Sequence, residues 1–220
     1  MRIPEGETIE YWLRLAVGAA TALLMLYSAA TVAAADADFA SGQRAYQAGD
    51  VVGAMPPLRR AAQAGHAPAQ ALLADILDQA GFVEDAAALY RQAAEKGDAD
   101  GAFGLGALYS AGRGVERDPL IARKWIGMAA ESGHARAINV LAQSYISGGL
   151  GLEKVAPAQI GAGMAWVHKA AAADYLPAID YLAAGYRSGA FGPADPKQAD
   201  ALEARARELR RVNESAKTRR

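Results

Sequence analysis

The sequence predicts an all-α fold, a right-handed α-solenoid of about five helix-turn-helix repeats. Apolar residues make up 52% of the 220 residues, whereas aromatic residues make up only 7%, and alanine is the most frequent residue. Helices pack closely through small side chains, while sheets favour β-branched and aromatic ones. Two sets of residues also recur along the chain in step with each other, as expected for stacked helix hairpins.

The N-terminal segment has the pattern of an export signal. Residues 15–35 carry no charge, Arg14 precedes them, and Asp36 follows three alanines that suit signal peptidase. The segment is also about long enough to span a bilayer as a helix. We therefore expect either a signal peptide cleaved after Ala35 or an uncleaved anchor in the inner membrane. Both place the rest of the chain in the periplasm or another extracytoplasmic space. A buried core helix is a third interpretation, but such a helix normally has a polar stripe.

A large residue followed four positions later by alanine marks the second helix of each hairpin. Trp125 and Trp166 are each followed by an alanine pair, and a small residue precedes each by three positions. The pattern recurs at spacings of 32, 36, 41 and 36 residues. The five large residues are Pro57, Leu89, Trp125, Trp166 and Leu202. This near-constant spacing indicates a repeat rather than a single catalytic loop.

The first helix of each hairpin carries an apolar pair four residues apart. In "LGALYSAG", Leu105 and Tyr109 share one helical face, a small residue between them allows a neighbouring helix to approach, and a glycine ends the helix. The other copies are Leu141 with Tyr145, Leu182 with Tyr186 and, more weakly, Leu72 with Ile76.

Asp-Pro pairs mark the start of two of the second helices. Asp118 and Asp195 each precede a proline. An aspartate at this position caps free backbone N–H groups, and proline is tolerated at the first helical position because its missing donor would be unpaired there.

Residues 102–135 resemble the Sel-one-like repeat, a relative of the tetratricopeptide repeat. They contain in order Leu-Gly-x-x-Tyr-x-x-Gly, Gly-Val-x-x-Asp, Ala-x-x-Trp and Ala-Ala-x-x-Gly-His-Ala. The next two copies are altered: one has an insertion around residues 149–161, and the other has Leu202 in place of the tryptophan. The resemblance covers roughly residues 39–210. It implies stacked hairpins that act as an adaptor or regulator in signalling or envelope assembly.

These observations divide the chain into four parts. We expect a signal peptide or membrane anchor at 1–35 and two degenerate tetratricopeptide or Sel-one-like hairpins at 36–98. Three Sel-one-like repeats follow at 99–210, and a basic frayed tail at 211–220.

No arrangement of residues predicts catalysis, a cofactor or a metal site. The chain has no cysteine and none of the common nucleophile, metalloprotease or phosphate-loop motifs. His66 and His134 follow helix-ending glycines two units apart, too far to share a metal ion, so we interpret them as turn residues that shape the next hairpin. We interpret Asp75 and Asp78 as a solvated acidic pair. The net charge of −1 gives no indication of nucleic-acid binding.

Recognition is expected on the concave face, which the first helices of such arrays line. Positions on that face that vary in polarity between repeats are the candidates for partner binding. They are Phe103, Arg136, Asn139, Gln143, Asp180 and Arg187. We expect them to hydrogen-bond an extended peptide or a helix of another protein, the alternative being an ordinary solvated helix face.

The predicted function is that of an exported, non-enzymatic protein-protein interaction scaffold. The alternative is a cell-wall-associated glycan-binding protein or hydrolase, and self-association through the chain ends is a third interpretation. A concave pocket lined by Trp or Tyr together with carboxylates would favour a glycan. A shallow polar groove would favour a peptide.

Overall fold

The computed structural model describes residues 17–18, 29–151 and 157–217, without the side chains of 157–162. Within these residues the chain forms ten helices and no strand, and residues 17–18 are also helical. The helices are α1 (29–47), α2 (Val51–Gln63), α3 (Ala67–Gln79), α4 (Val83–Glu95), α5 (Ala99–Ala111), α6 (Pro119–Glu131), α7 (Ala135–Ser147), α8 (Pro157–Ala172), α9 (Leu176–Ser188) and α10 (Pro196–Lys217). They pair into five consecutive hairpins, which confirms the predicted all-α array of helix-turn-helix units.

An apolar core runs between the hairpins. One group of buried side chains includes Leu58 of α2 and Leu73 of α3, and a second extends from α3 to α10 around Leu105. Leu77 and Leu89 pack against both groups. Since one hairpin cannot bury its own apolar face, this continuity between neighbours is what stabilises the array.

Three-residue turns with a residue in the left-handed region connect the hairpins. Gly65, Gly97 and Gly133 have φ of +85°, +85° and +87° in these turns. Asp174 takes the corresponding place before α9 with φ of +63°, because aspartate tolerates this region better than most residues.

The two predicted aspartate caps are confirmed. Asp118 Oδ1 accepts hydrogen bonds from the backbone N–H groups of Leu120 and Ile121, at 2.9 and 3.0 Å. Asp195 Oδ1 accepts from the backbone N–H of Gln198 at 3.0 Å. These bonds satisfy donors that have no partner within α6 and α10.

The predicted role of His66 and His134 as turn residues is also confirmed, since each caps the helix that follows it. His134 Nδ1 accepts from the backbone N–H of Ala137 at 3.0 Å. The ring proton therefore lies on Nε2, which is 3.0 Å from an Asp100 carboxylate oxygen of the preceding first helix. The same arrangement joins His66 to Asp36, with 3.2 Å between Nε2 and Oδ1. Each histidine thus links the first helices of successive hairpins.

Replacement of His134 by alanine is expected to lower the free energy of unfolding by about 1–2 kcal/mol, because the variant loses the cap of α7 and the link to α5. Asparagine at this position should recover part of the loss, since its side chain also caps helices. Chemical denaturation measures the effect. His168→Ala is the matched control, because His168 is exposed on α8. An equal loss in the two alanine variants would contradict the assigned role of His134.

α10 continues to Lys217, and Arg211 pairs with Glu208 at 2.8 Å, while the basic frayed tail at 211–220 stays a prediction. One prediction about the repeats, the register of the second hairpin, is wrong. Counted from the caps His66 and Asp98, Leu73 and Leu77 correspond to Leu105 and Tyr109. The predicted copy at Leu72 and Ile76 is therefore shifted by one residue.

The predicted leader lies mostly outside the described residues. Its described C-terminal part, residues 29–35, belongs to α1, which continues across Ala35 into the first hairpin. In the described part of the chain, no helix has both the length and the apolar character needed to cross a membrane. Cleavage after Ala35 and anchoring by residues 15–35 stay predictions.

Candidate interaction surface

The first helices of the hairpins line the inner side of the array. α3 packs against α5, and α7 against α9, in addition to the contacts within and between adjacent hairpins. Among the described residues, no two second helices make a contact of similar extent. Helices that approach each other more closely lie on the inside of a curved stack, so the exposed sides of α3, α5, α7 and α9 form its concave face.

Phe103 and Arg136 form a stacked cluster between α5 and α7. The Phe103 ring lies 4.6 Å from the His134 ring, centroid to centroid, at an interplanar angle of 23°. The Arg136 guanidinium carbon lies 4.9 Å from the Phe103 centroid, within the range of a cation–π interaction. This arrangement places a cation beside an aromatic ring on the concave face.

Asn139 and Gln143 lie on the next turns of α7. The Gln143 Oε1 accepts a hydrogen bond from the Tyr175 hydroxyl at 3.2 Å, so part of its capacity is used inside the protein. The Asn139 side chain is half-buried and makes no hydrogen bond to any described residue. Asn139 therefore offers an amide donor and an amide acceptor to a partner.

Asp180 and Arg187 of α9 pair with α10. Arg210 Nη2 donates to both carboxylate oxygens of Asp180, at 2.7 and 2.5 Å. Arg187 Nη2 lies 2.7 Å from Asp200 and 2.6 Å from Glu203. Both candidates are thus already engaged in ion pairs with α10, and a partner would have to compete with these ion pairs to bind them.

Asp75 is a concave-face residue whose role sequence reasoning missed. The Tyr90 hydroxyl donates to Asp75 Oδ1 at 2.5 Å, and Arg113 pairs with Asp78 at 2.6 Å. The interpretation of the two aspartates as a solvated pair is therefore wrong. Counted from the helix caps, Asp75 occupies the same repeat position as Gln143, which is the signal that could have found it.

Burial raises the pKa values of both members of the Asp75–Tyr90 hydrogen bond. Burial raises the pKa of the Asp75 carboxyl above its usual range, against the opposing effects of the Tyr90 hydrogen bond and of Arg136. Burial and the bond to Asp75 also raise the pKa of Tyr90, so its hydroxyl remains a donor well into alkaline solution. Since the pKa of Asp75 is raised in the folded state, its contribution to stability is complete below its ordinary pKa and decreases as the pH rises through the folded pKa.

Replacement of Tyr90 by phenylalanine is expected to lower the free energy of unfolding at pH 7 by about 1–3 kcal/mol, because a half-buried carboxylate loses its donor. The same change removes the interaction that lowers the pKa of Asp75. The difference from the wild type should therefore be smaller at pH 3 than at pH 7. Urea denaturation at the two pH values measures both effects.

Tyr186→Phe is the matched control for this prediction. Tyr186 is half-buried, and its hydroxyl has no hydrogen bond to any described residue. We expect the free energy of unfolding of the Tyr186→Phe variant to stay within about 0.5 kcal/mol of the wild-type value at both pH values. A Tyr90 variant whose loss does not change between pH 3 and pH 7 would contradict the coupling to Asp75.

Comparison with known proteins identifies the fold. No family model matches the chain, and no curated protein matches it. A solved structure of a Sel1 repeat protein from Oxalobacter formigenes is 27% identical, with a TM-score of 0.58, over 78% of this chain and 70% of that one. The chain has the Sel1-repeat fold. A protective antigen of uropathogenic Escherichia coli strains with an SLR fold is 23% identical, with a TM-score of 0.50, over 80% of this chain and 46% of that one.

The predicted repeat residues take consistent positions in the Sel1-repeat fold. The leucines of the first helices, Leu105, Leu141 and Leu182, are buried with at most 3% of their surface exposed. The tyrosines and tryptophans are half-buried at the edge of the core. They are Tyr109, Tyr145, Tyr186, Trp125 and Trp166.

The described part of the Sel1-repeat array contains no group of three or more His, Asp and Glu side chains that could hold a metal ion. His66 and His134 lie two hairpins apart, each engaged in a cap. On the described part of the concave face, Asp75, Asn139 and Gln143 offer polar contacts, and Arg136 offers a cation.

Proposed function

We propose that this chain is a non-enzymatic protein-interaction scaffold whose concave face binds an extended segment of another protein. The unpaired amide of Asn139 carries the proposal. It lies half-buried between Arg136 and Gln143 on one face of α7, where an extended backbone can supply both a carbonyl and an N–H group. The Sel1-repeat fold supports the same role, because its stacked helices present a long concave surface.

The position of the tryptophans favours a peptide over a glycan. Trp125 and Trp166 belong to second helices, α6 and α8, and not to the concave face. On the described part of the concave face, the Phe103 ring is stacked against His134 and lies beside the Arg136 guanidinium. A sugar needs an open aromatic platform beside carboxylates, whereas a peptide needs unpaired polar groups, and Asn139 supplies those.

Capture of partners from cells tests the proposal. The tagged full-length chain is crosslinked in cells and purified in three forms: wild type, Asn139→Lys and His168→Lys. The last is the matched control, with the same added charge on the exposed side of α8. We expect a specific protein with the wild type and the control, and at least about tenfold less with Asn139→Lys, since the substitution removes the acceptor and adds bulk. Equal recovery from all three forms, or recovery of glycan alone, would overturn the proposal.

We also propose that the scaffold works outside the cytoplasm. The uncharged segment 15–35, with Arg14 before it and Asp36 after it, supports this location. A fusion of alkaline phosphatase after residue 217 should be active, because that enzyme requires export to form its disulfides. N-terminal sequencing of the purified chain should then begin at Asp36 if the segment is a cleaved signal, and before it if the segment is an anchor. An inactive fusion at normal expression would contradict export.

A further inference from the structure

A groove runs between the second helices α6 and α8 on the side opposite the concave face. α6 forms one wall, Trp166 of α8 stands on the other, and Leu141 and Tyr145 of α7 form the floor. Its volume is about 450 Å³. Leu141 and Tyr145 lie two residues along the helix from Asn139 and Gln143, about 200° around α7, so the groove and the concave face are separate surfaces.

One guanidinium nitrogen of Arg123, a residue that lines this groove, is buried and lacks a partner. Nη1 of Arg123, on α6, is inaccessible to solvent and has no hydrogen-bond partner, and it is the one such side-chain atom in the described part of the chain. A guanidinium donor left unpaired away from water costs stability. The usual partner of such a group is a carboxylate, which accepts charge-assisted hydrogen bonds from arginine.

The two walls of the groove differ in character. On α6, Lys124 lines the groove beside Arg123, and Met128, at 37% exposure, adds an apolar surface further along. Opposite them, Trp166 presents an aromatic wall, with Lys169 Nζ 5.2 Å from its ring centroid. Glu131 is the single acidic side chain among the described residues that line the groove. The groove therefore has more cations than anions around it, with Arg123 and Lys124 on α6 and Lys169 beside the Trp166 ring, and its floor is formed by Leu141 and Tyr145.

We propose that this groove binds an acidic extended segment of a partner protein, in which carboxylate and aliphatic side chains alternate. Successive side chains of an extended chain point in opposite directions. Such a segment places its carboxylates against Arg123 and Lys124 and its aliphatic groups against Trp166 and Tyr145. The site is independent of the concave face, and the proposal does not depend on the function assigned to that face.

Peptide binding to the full-length protein tests the proposal. The probes are a fluorescein-labelled decapeptide of alternating Glu and Leu and the same peptide with Gln in place of Glu, and fluorescence polarisation gives the dissociation constants. We expect the Glu peptide to bind at least about tenfold more tightly than the Gln peptide. Arg123→Ala should weaken binding of the Glu peptide by about tenfold, the value of one charge-assisted bond.

Two variants make the result specific. Arg59→Ala removes an exposed arginine from the corresponding groove between α2 and α4, and it should change binding by less than about twofold. Asn139→Lys, on the concave face, should also leave peptide binding unchanged, which separates this test from that of the proposed function.

The melting temperature of Arg123→Ala gives an independent readout. Without peptide it should equal or exceed that of the wild type, because the variant no longer buries an unpaired donor. Equal affinity for the Glu and Gln peptides, or an Arg123→Ala protein that is stably folded and binds like the wild type, would overturn the proposal. A lower melting temperature without peptide for both Arg123→Ala and Arg123→Met, which keeps the aliphatic packing, would do so as well, since it would show that Arg123 already has a stabilising partner.

Discussion

Truncation of Leu105 to alanine is expected to lower the free energy of unfolding by about 2–5 kcal/mol. Leu105 is fully buried in α5, in the core group that continues from α3 to α10. Removal of its side chain leaves a cavity between hairpins that cannot close without moving a neighbouring helix. Because each hairpin depends on its neighbours for burial, the loss should also make unfolding less cooperative, which chemical denaturation followed by circular dichroism detects.

Leu120→Ala is the control for this prediction. Leu120 is 59% exposed at the start of α6, so the same truncation there removes little buried surface. We expect a change within about 0.5 kcal/mol. If the Leu105 variant loses no more stability than the Leu120 variant, the core does not lie where the structure places it.

Addition of one methyl group at Gly106 is expected to destabilise the protein by about 1–3 kcal/mol. A Cβ at this position would lie 2.6 Å from Ile126 Cγ1 and 3.0 Å from the backbone oxygen of Ala122. Ile126 is buried and Ala122 contributes backbone, so neither can move aside without shifting α6. Thermal unfolding of Gly106→Ala measures the cost of separating α5 from α6.

Gly127→Ala should have the opposite effect. Gly127 lies within α6, and a Cβ there would meet no atom within 4 Å. Alanine in a helix interior is about 0.5–1 kcal/mol more stable than glycine, so this variant should be more stable than the wild type. The same direction of change in both variants would contradict the close approach of α5 and α6 at Gly106.

The repeat architecture could be predicted because its determinants are local and periodic. The leucine at Leu105 and the small residue at Gly106 recur at a nearly fixed spacing, the Asp118 cap has a second copy at Asp195, and each has one physical role in a hairpin. Because one such hairpin cannot bury its apolar face alone, a chain that repeats these residues buries them by stacking its hairpins.

The register of the second hairpin could not be predicted from the apolar pattern alone. Leu72, Leu73, Ile76 and Leu77 are all apolar, so two registers fit α3 equally well. The cap at His66 decides between them, and it also places Asp75 on the concave face. Histidine is a less common cap than aspartate or serine, so its position carried little information before the structure was known.

Whether a candidate residue is free or already paired within the protein depends on contacts between distant parts of the chain. Asp180 meets Arg210 and Phe103 meets His134, each pair about 30 residues apart. Sequence position predicted a shared helix face for these residues, but side-chain pairing across hairpins follows from the turns and from the angle between helices. Asn139 was therefore predicted together with residues that prove to be paired.

The different packing of first and second helices has a mechanical consequence. α3 touches α5 and α7 touches α9 along the inner side, while α6 and α8 stand apart with a groove of about 450 Å³ between them. A stack that pivots along its inner helices converts a change of curvature into a change of groove width. A segment seated on the concave face that straightens the array would narrow the groove beside Arg123, and one that bends it further would widen it.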